Sequence, residues 1–184
     1  GVRLVGSEMC IRDRILGVFF ALFPVLLLAQ QGYPTPPDAR HRLFYIQHSN
    51  NHNTFVYDAN VTAQSKLDAD DPIDVYRLTY EKSKNGIREE LTQVQRKMAY
   101  GVEINSADAT LCEFTLAAYP AKKLVLRLGK DGKPYVTANV NGKNIIVKRL
   151  YLQMGKLRTN VLHIDFYGKD IATGKEVSER LMIK

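Results

Sequence analysis

The sequence predicts a mostly β protein: an antiparallel β-sandwich, or alternatively a closed β-barrel, of about eight to ten strands with one helix near residues 89–100. Apolar and polar residues alternate in short runs, which is the period of a strand with one buried face. Turn signals separate these runs, and only residues 89–100 change clearly to a helical period. These observations favour a sheet protein to which a single helix is added.

The clearest strand pattern lies in the last third of the chain. Between residues 122 and 183, alternating runs are separated by four turn signals: Asp131-Gly132, Asn141-Gly142, Gly155 and Thr173-Gly174. Asp-Gly and Asn-Gly pairs accept positive φ at both centres of a type I′ turn, whose twist matches that of a hairpin. We therefore predict five antiparallel strands that follow one another as a meander.

A first hairpin is predicted near the start of the domain. Leu43–His48 and Thr54–Asp58 are rich in β-branched and aromatic residues, and they flank Ser49–Asn53, whose asparagines tolerate the left-handed conformation. Further strands are predicted at residues 74–80, 102–104 and 110–119.

The one predicted helix spans residues 89–100. Leu91, Val94 and Met98 are spaced by three and four residues, so they share a face that we expect to be buried on the sheet. Two glutamates open the segment and a basic pair lies near its end, which complements the helix macrodipole. Gly101 follows directly, and we expect it to end the helix in the left-handed conformation.

The length and net charge of the chain limit the number of domains and the kinds of partner that we expect. The chain has 184 residues, and we assign residues 42–184 to a single β-rich domain. Lys and Arg number 26 against 19 Asp and Glu, but the net charge of +7 is spread along the chain. This distribution is typical of a solvated basic surface, so we expect no nucleic-acid partner. Cys112 is the only cysteine after residue 29, so no intramolecular disulfide is available to that part of the chain.

Three segments precede the predicted domain. Residues 1–14, GVRLVGSEMCIRDR, resemble the translated read-through of a sequencing-library adapter, and we expect this non-native segment to contribute nothing to the fold. Residues 15–29 form an uncharged apolar run, shorter than the roughly 20 residues of a bilayer span, and predict a signal peptide; a retained anchor is the alternative. Residues 30–41 are a proline-rich linker. We therefore expect a periplasmic or extracellular protein with no stable membrane span after cleavage.

Five segments follow one another along the chain: LFYIQHSNNHNTFVYDAN, DPIDVYRLTY, REELTQVQRKMAYGVEI, NGKNIIVKRLYLQ and HIDFYGKDIATGKEV. In order and spacing, above all in QRKMAYG at residues 95–101, they resemble a bacterial family of exported proteins catalogued only as a domain of unknown function. The resemblance covers about residues 42–180 and implies a single domain. Because the family has no assigned activity, it implies no catalytic residues.

Histidine and aspartate suggest one candidate site, for a divalent metal. His48 and His52 flank the first predicted turn, while His163 and Asp165 are two apart on a strand and share a face. Imidazole and carboxylate groups could together bind zinc or another divalent ion if these strands are adjacent. The spacing follows no closed zinc pattern, so an ordinary turn histidine and a half-exposed strand histidine are the simpler interpretation.

Tyrosine suggests a second candidate site, for a ligand. Ten tyrosines occur, several of them on predicted strand faces, and an exposed aromatic face can bind a glycan or peptide. Tyrosine also suits the half-buried side of any sheet. The candidate ligand-binding residues are Tyr45, Tyr57, Tyr76, Asn50 and Asn51.

These patterns leave two functions from different classes. The first is a non-catalytic exported binding or envelope-associated module that uses a sheet face or the loop at residues 49–53. The alternative is a metal-dependent hydrolase with a His/Asp site. Because no nucleophile elbow, phosphate loop or paired-carboxylate signature occurs, we favour the first, with no cofactor and an unknown ligand or envelope component as partner.

Overall fold

The computed structural model describes residues 33–156 and 160–183, which belong to one compact unit. The first elements are β1 (Arg42–His48), β2 (Asn51–Ala59), β3 (Ile73–Thr79), β4 (Ile87–Glu90), α1 (Gln93–Gln95), a π-helical turn (Arg96–Tyr100) and β5 (Val102–Ala107). The chain continues with β6 (Leu111–Leu116), β7 (Tyr119–Leu128), β8 (Pro134–Val140), β9 (Lys143–Met154), β10 (Val161–Asp170) and β11 (Glu176–Met182). The predicted mostly β class with one short helix is confirmed.

All eleven strands in the described ranges belong to one sheet. The predicted meander is confirmed, since β7 to β11 pair in sequence and antiparallel. The strand β9 is long enough to pair with two strands, one after the other, along the same side. Its residues 143–147 pair with β8, and its residues 149–152 pair in parallel with β1. The sheet therefore divides at β9 into a first wing, β1 to β4, and a second wing, β5 to β8.

The two wings curl toward each other as a half-barrel and share one core. From edge to edge the strand order is β4-β3-β2-β1-β9-β8-β7-β6-β5. The two end strands of this order, β4 and β5, are consecutive in the chain and are joined by the helical segment. Both wings contribute large side chains of at most 2% exposure to the core, among them Phe44, Tyr57, Phe114 and Leu126, and β10 adds Phe166. Burial of these apolar faces is the main stabilising contribution, as in any sheet that is covered on one side.

The turn chemistry explains how the hairpins close. At the β8–β9 turn both Asn141 (φ 50°) and Gly142 (φ 82°) are left-handed, as a type I′ turn requires. At the β7–β8 turn only Gly132 (φ 72°) has positive φ, so that turn is of another type. The first hairpin is tighter than predicted, because His48 already pairs with Asn51.

The helix is confirmed, but it begins later than predicted. The two glutamates expected in its first turn lie in β4, where Glu89 is paired with Arg77 both in register and by a salt bridge. Thr92 then opens α1 with a capping box that it forms with Gln95. Strand pairing and charge complementarity across β3 and β4 thus outweigh the helical propensity of glutamate.

The predicted buried stripe of this helix is wrong. Leu91 is buried, but Val94 and Met98 are 70% and 72% exposed. The prediction for Gly101 is wrong as well, since its φ is −65°. Glycine is needed there for space: a Cβ atom would lie 1.9 Å from the carbonyl oxygen of Arg96. A short helix that turns into a π-helical segment does not keep the 3.6-residue period on which the stripe was based.

Candidate functional site

The strand β1 presents two different faces. Phe44, Ile46 and His48 point into the core, while Tyr45 and Gln47 point to the outer face of the first wing. Gln47 is only 1% exposed although it lies on that outer face. Another part of the chain therefore covers the outer face at Gln47, and this covering segment forms part of the candidate site.

A segment without regular secondary structure, residues 33–37, lies on this outer face; we call it the strap. The Tyr33 hydroxyl donates a hydrogen bond to the backbone oxygen of His48 at 2.6 Å. The Gln47 side-chain amide donates to the backbone oxygen of Pro34 at 3.0 Å. Pro36 is buried. The strap lies within the predicted proline-rich linker, and its contacts fix it on the folded domain.

Aromatic packing holds the Tyr33 ring in place. It meets the His52 ring edge-on, with centroids 5.1 Å apart, and the Tyr151 ring edge-on at 6.0 Å. Edge-to-face pairs at such distances are favourable because the positive ring edge meets the negative ring face. Tyr33 thereby links the strap to β2 and β9.

An open pocket of about 460 Å³ lies beside the strap. Its lining residues are Tyr33, Pro34, His52, Tyr80 and Lys84. Two aromatic rings, a proline and an imidazole make the walls largely apolar, and Lys84 is the lining residue that carries a permanent charge. Such a lining suits a ring-shaped ligand that bears a negative group.

Tyr76 and Tyr57, two of the predicted ligand-binding residues, are engaged by the protein itself. The Tyr76 hydroxyl donates to Asp58 at 2.9 Å, and the Arg88 guanidinium lies 4.0 Å from the centre of its ring. Tyr57 is fully buried in the core and donates to the backbone oxygen of Tyr100 at 2.7 Å. Neither ring face is open to a ligand.

The predicted asparagines bond within their own turn. Asn51 accepts a hydrogen bond from the backbone N–H of Asn53 at 2.9 Å, and its side-chain amide donates to Asn50 at 3.3 Å. Tyr45 and Tyr80 both pack against the outer-face cluster of Val56, Tyr76 and Leu78. None of the three predicted ligand-binding tyrosines lines the pocket.

His48 forms a hydrogen-bonded network on the core side of β1. Its Nδ1 lies 2.9 Å from Asn50 Oδ1, and its Nε2 lies 3.0 Å from the Tyr100 hydroxyl. Because an amide oxygen only accepts, Nδ1 carries the proton and Nε2 accepts from Tyr100. Burial lowers the pKa of His48, and burial raises the pKa of Tyr100 to about 12. Both groups are therefore neutral near pH 7.

The four proposed metal ligands are brought together only in part. His163 Nε2 and Asp165 Oδ2 are 3.6 Å apart on the outer face of β10. Asp165 also accepts hydrogen bonds from Nε and Nη2 of Arg180, at 2.7 and 3.0 Å. The His48 ring lies elsewhere, stacked on the core residue Phe55. Within residues 33–156 and 160–183, no three His, Cys, Asp or Glu side chains are grouped to hold a metal ion.

The sequence comparison identifies the family. Residues 44–180 match a sequence family described as a domain of unknown function, DUF4833. The chain belongs to the DUF4833 family. No curated protein and no solved structure is similar to the chain at a significant level. The DUF4833 match includes three pocket residues, His52, Tyr80 and Lys84, and begins after the strap.

Of the five lining residues, the sequence predicts only His52, and as a metal ligand; Tyr33, Pro34, Tyr80 and Lys84 are not among the predicted site residues. Tyr33 and Pro34 fall in the predicted linker, whose prolines indicate an extended segment but not the surface on which it lies. Lys84 lies in the β3–β4 turn, where a charged residue is ordinary and gives no signal of its own.

No helix in the part of the chain that the structure describes is long and apolar enough to cross a membrane.

Proposed function

We propose that this DUF4833 protein is a non-catalytic, exported binding module whose ligand occupies the pocket beside the strap. The observation that carries the proposal is the pocket itself: about 460 Å³, open to solvent and walled by Tyr33 and Tyr80, with Lys84 at its border. Ligand sites commonly have volumes of about 300–1,000 Å³ and mainly apolar walls with a few polar groups.

The lining favours an acidic sugar or a similar ring with a carboxylate. The rings of Tyr33 and Tyr80 offer flat apolar area to the face of a sugar ring, while the Tyr33 hydroxyl stays bonded to the backbone oxygen of His48. Lys84 is exposed and can pair with a carboxylate without a desolvation penalty. The open mouth leaves room for the remainder of a longer chain, so an oligosaccharide fits better than an enclosed metabolite.

The polar groups with perturbed pKa values support a binding role over a catalytic one. His48 and Tyr100, whose pKa values are shifted by burial, bond to each other and do not line the pocket. Tyr80 does line it, but burial raises the pKa of its hydroxyl, which therefore stays protonated near pH 7. Cys112 is fully buried, and burial raises the pKa of its thiol to about 11, which suppresses the thiolate that a nucleophile requires.

Export is part of the same proposal. Its support is the uncharged apolar run at residues 15–29 followed by the proline-rich segment, a pattern typical of a signal peptide. Those residues lie outside the described ranges. The pocket would then face the periplasm or the exterior, where free glycans and envelope polymers are available.

Calorimetric titration with matched oligosaccharides tests the proposal. We expect acidic oligosaccharides to bind, and Tyr80→Ala and Lys84→Ala to weaken binding several-fold or more. Lys82→Ala, which changes an exposed lysine of the same turn outside the pocket, is the control and should bind normally. Binding that is insensitive to Tyr80→Ala, or failure of every neutral and acidic glycan to bind, would overturn the proposed function.

A further inference from the structure

We propose that the groove beneath the strap is a recognition site for extended, proline-rich segments that contain a Tyr-Pro step, and that the chain fills it in cis with its own residues 33–37. This goes beyond the pocket, which lies beside the strap. The proposed partner is therefore a protein segment with the chemistry of YPTPP.

The first argument is how the groove binds the strap backbone. Proline has no N–H, so a proline-rich segment offers its carbonyl oxygens as the polar groups to be recognised. The buried Gln47 amide donates to the Pro34 carbonyl at 3.0 Å and to Thr54 Oγ1 at 3.2 Å. The second bond holds the amide in the direction of the strap. The buried Gln47 amide therefore satisfies a carbonyl that a proline-rich segment offers, beside the aromatic rings of His52 and Tyr151.

The second argument is a shaped slot for tyrosine. The Tyr33 ring lies against both His52 and Tyr151, and its hydroxyl bonds to the backbone oxygen of His48 at 2.6 Å. A phenylalanine would fill the same slot but would leave this carbonyl without the bond. The slot therefore selects tyrosine by shape and by its hydroxyl.

The third argument is the spacing within the strap. Tyr33 and Pro36 are three residues apart and both lie against the domain, whereas Thr35 and Pro37 are exposed. Three residues make one turn of a polyproline II helix, so residues spaced by three share one face. Proline also restricts φ in the free segment, which lowers the entropic cost of binding.

The fourth argument is that the strap is held like a ligand. In the described chain, backbone–backbone hydrogen bonds begin only after it, with Arg42 N–H to the Ala39 oxygen at 3.1 Å. The strap itself is fixed by side chain–backbone bonds and ring contacts, which a second segment is able to reproduce. A tethered segment has an effective concentration on the order of millimolar, so the cis strap outcompetes a free peptide unless its contacts are weakened.

The test is a competition between cis and trans segments in the full chain. A fluorescently labelled peptide, GYPTPPDAR, is titrated against the wild-type protein and against the Tyr33→Ala, Pro36→Ala double variant, with anisotropy as the readout. We expect the double variant to bind the peptide about tenfold or more tightly than the wild type, because the competing strap has lost its anchors. A matched variant, Thr35→Ala with Pro37→Ala, changes only exposed strap residues and should bind the peptide as the wild type does.

Two further measurements identify the groove and its occupant. Adding Gln47→Leu to the double variant should abolish peptide binding while circular dichroism shows that the domain is still folded, and a peptide with alanine in place of tyrosine should bind weakly. Equal peptide binding by the wild type and the double variant, or none by either, would overturn the proposal. Dimerisation of the wild type that added peptide does not reverse would instead assign the groove to strap exchange between two copies.

Discussion

The bond between His48 and Tyr100 links the first hairpin to the end of the helical segment, and its loss should weaken the whole fold. His48→Phe keeps a flat ring of similar size, so the stack on Phe55 is preserved, but both ring-nitrogen hydrogen bonds are lost. Each such bond contributes about 0.5–1.5 kcal/mol, and the half-buried Tyr100 hydroxyl loses its partner but can turn to water. We expect His48→Phe to lower the free energy of unfolding by about 1–3 kcal/mol.

A double-mutant cycle in urea isolates this bond. Tyr100→Phe alone leaves Nε2 of a 2%-exposed ring without its donor and should cost about 1–3 kcal/mol. The double variant should cost less than the sum of the two single changes by about 1 kcal/mol or more, because both partners are then apolar. Tyr135→Phe, on the second wing, serves as the control. Additivity of the two single changes within about 0.3 kcal/mol would refute the bond.

The same histidine makes the protein sensitive to acid. Burial lowers the pKa of His48 in the folded state, whereas the unfolded chain binds a proton near the ordinary value of 6.5. This contribution to stability is therefore complete above pH 6.5 and is lost progressively as the pH falls toward the lowered pKa. The loss of stability as the pH falls below 6.5 should be smaller in His48→Phe than in the wild type. Identical pH profiles of the two proteins would contradict this reasoning.

Three further predictions concern other elements. Gly101→Ala should cost several kcal/mol in urea unfolding, since its Cβ would collide with the Arg96 carbonyl; an unchanged midpoint would show that the backbone moves freely there. Leu91→Ala should destabilise by about 2–5 kcal/mol, whereas the exposed Val94→Ala should change stability by less than about 0.5 kcal/mol, and equal effects would contradict the observed burial. Cys112 should resist a thiol reagent in native protein and react after unfolding; rapid native labelling would refute its burial.

Local signals were sufficient for the C-terminal meander but not for β4 or for the helix boundaries. The Asn141-Gly142 pair predicts its turn correctly because both residues have a conformational reason to be there. Glu89 resembles a helix start in sequence, yet its partner Arg77 lies on the neighbouring strand and draws it into the sheet. The exposed Val94 belongs to a helix too short and too irregular to hold one apolar face.

The candidate site depends on contacts between distant parts of the sequence, which no local pattern encodes. Tyr80 was recognisable as an aromatic residue on a strand face, but the pocket forms only because the strap brings Tyr33 beside it. Gln47 gives no sequence signal, because a glutamine in an alternating strand is expected to face solvent. Its burial follows from the docking of Pro34 on the outer face.

Tryptophan fluorescence gives the most direct test of ligand binding in the pocket. The chain contains no tryptophan, so Tyr80→Trp places a single reporter in the pocket wall. Titration of this variant with an acidic oligosaccharide should change its emission in a saturable way, and Lys84→Ala in the same background should weaken the response while Lys82→Ala does not. An unchanged emission spectrum across neutral and acidic glycans, or equal responses with the two lysine substitutions, would contradict a ligand site at this pocket.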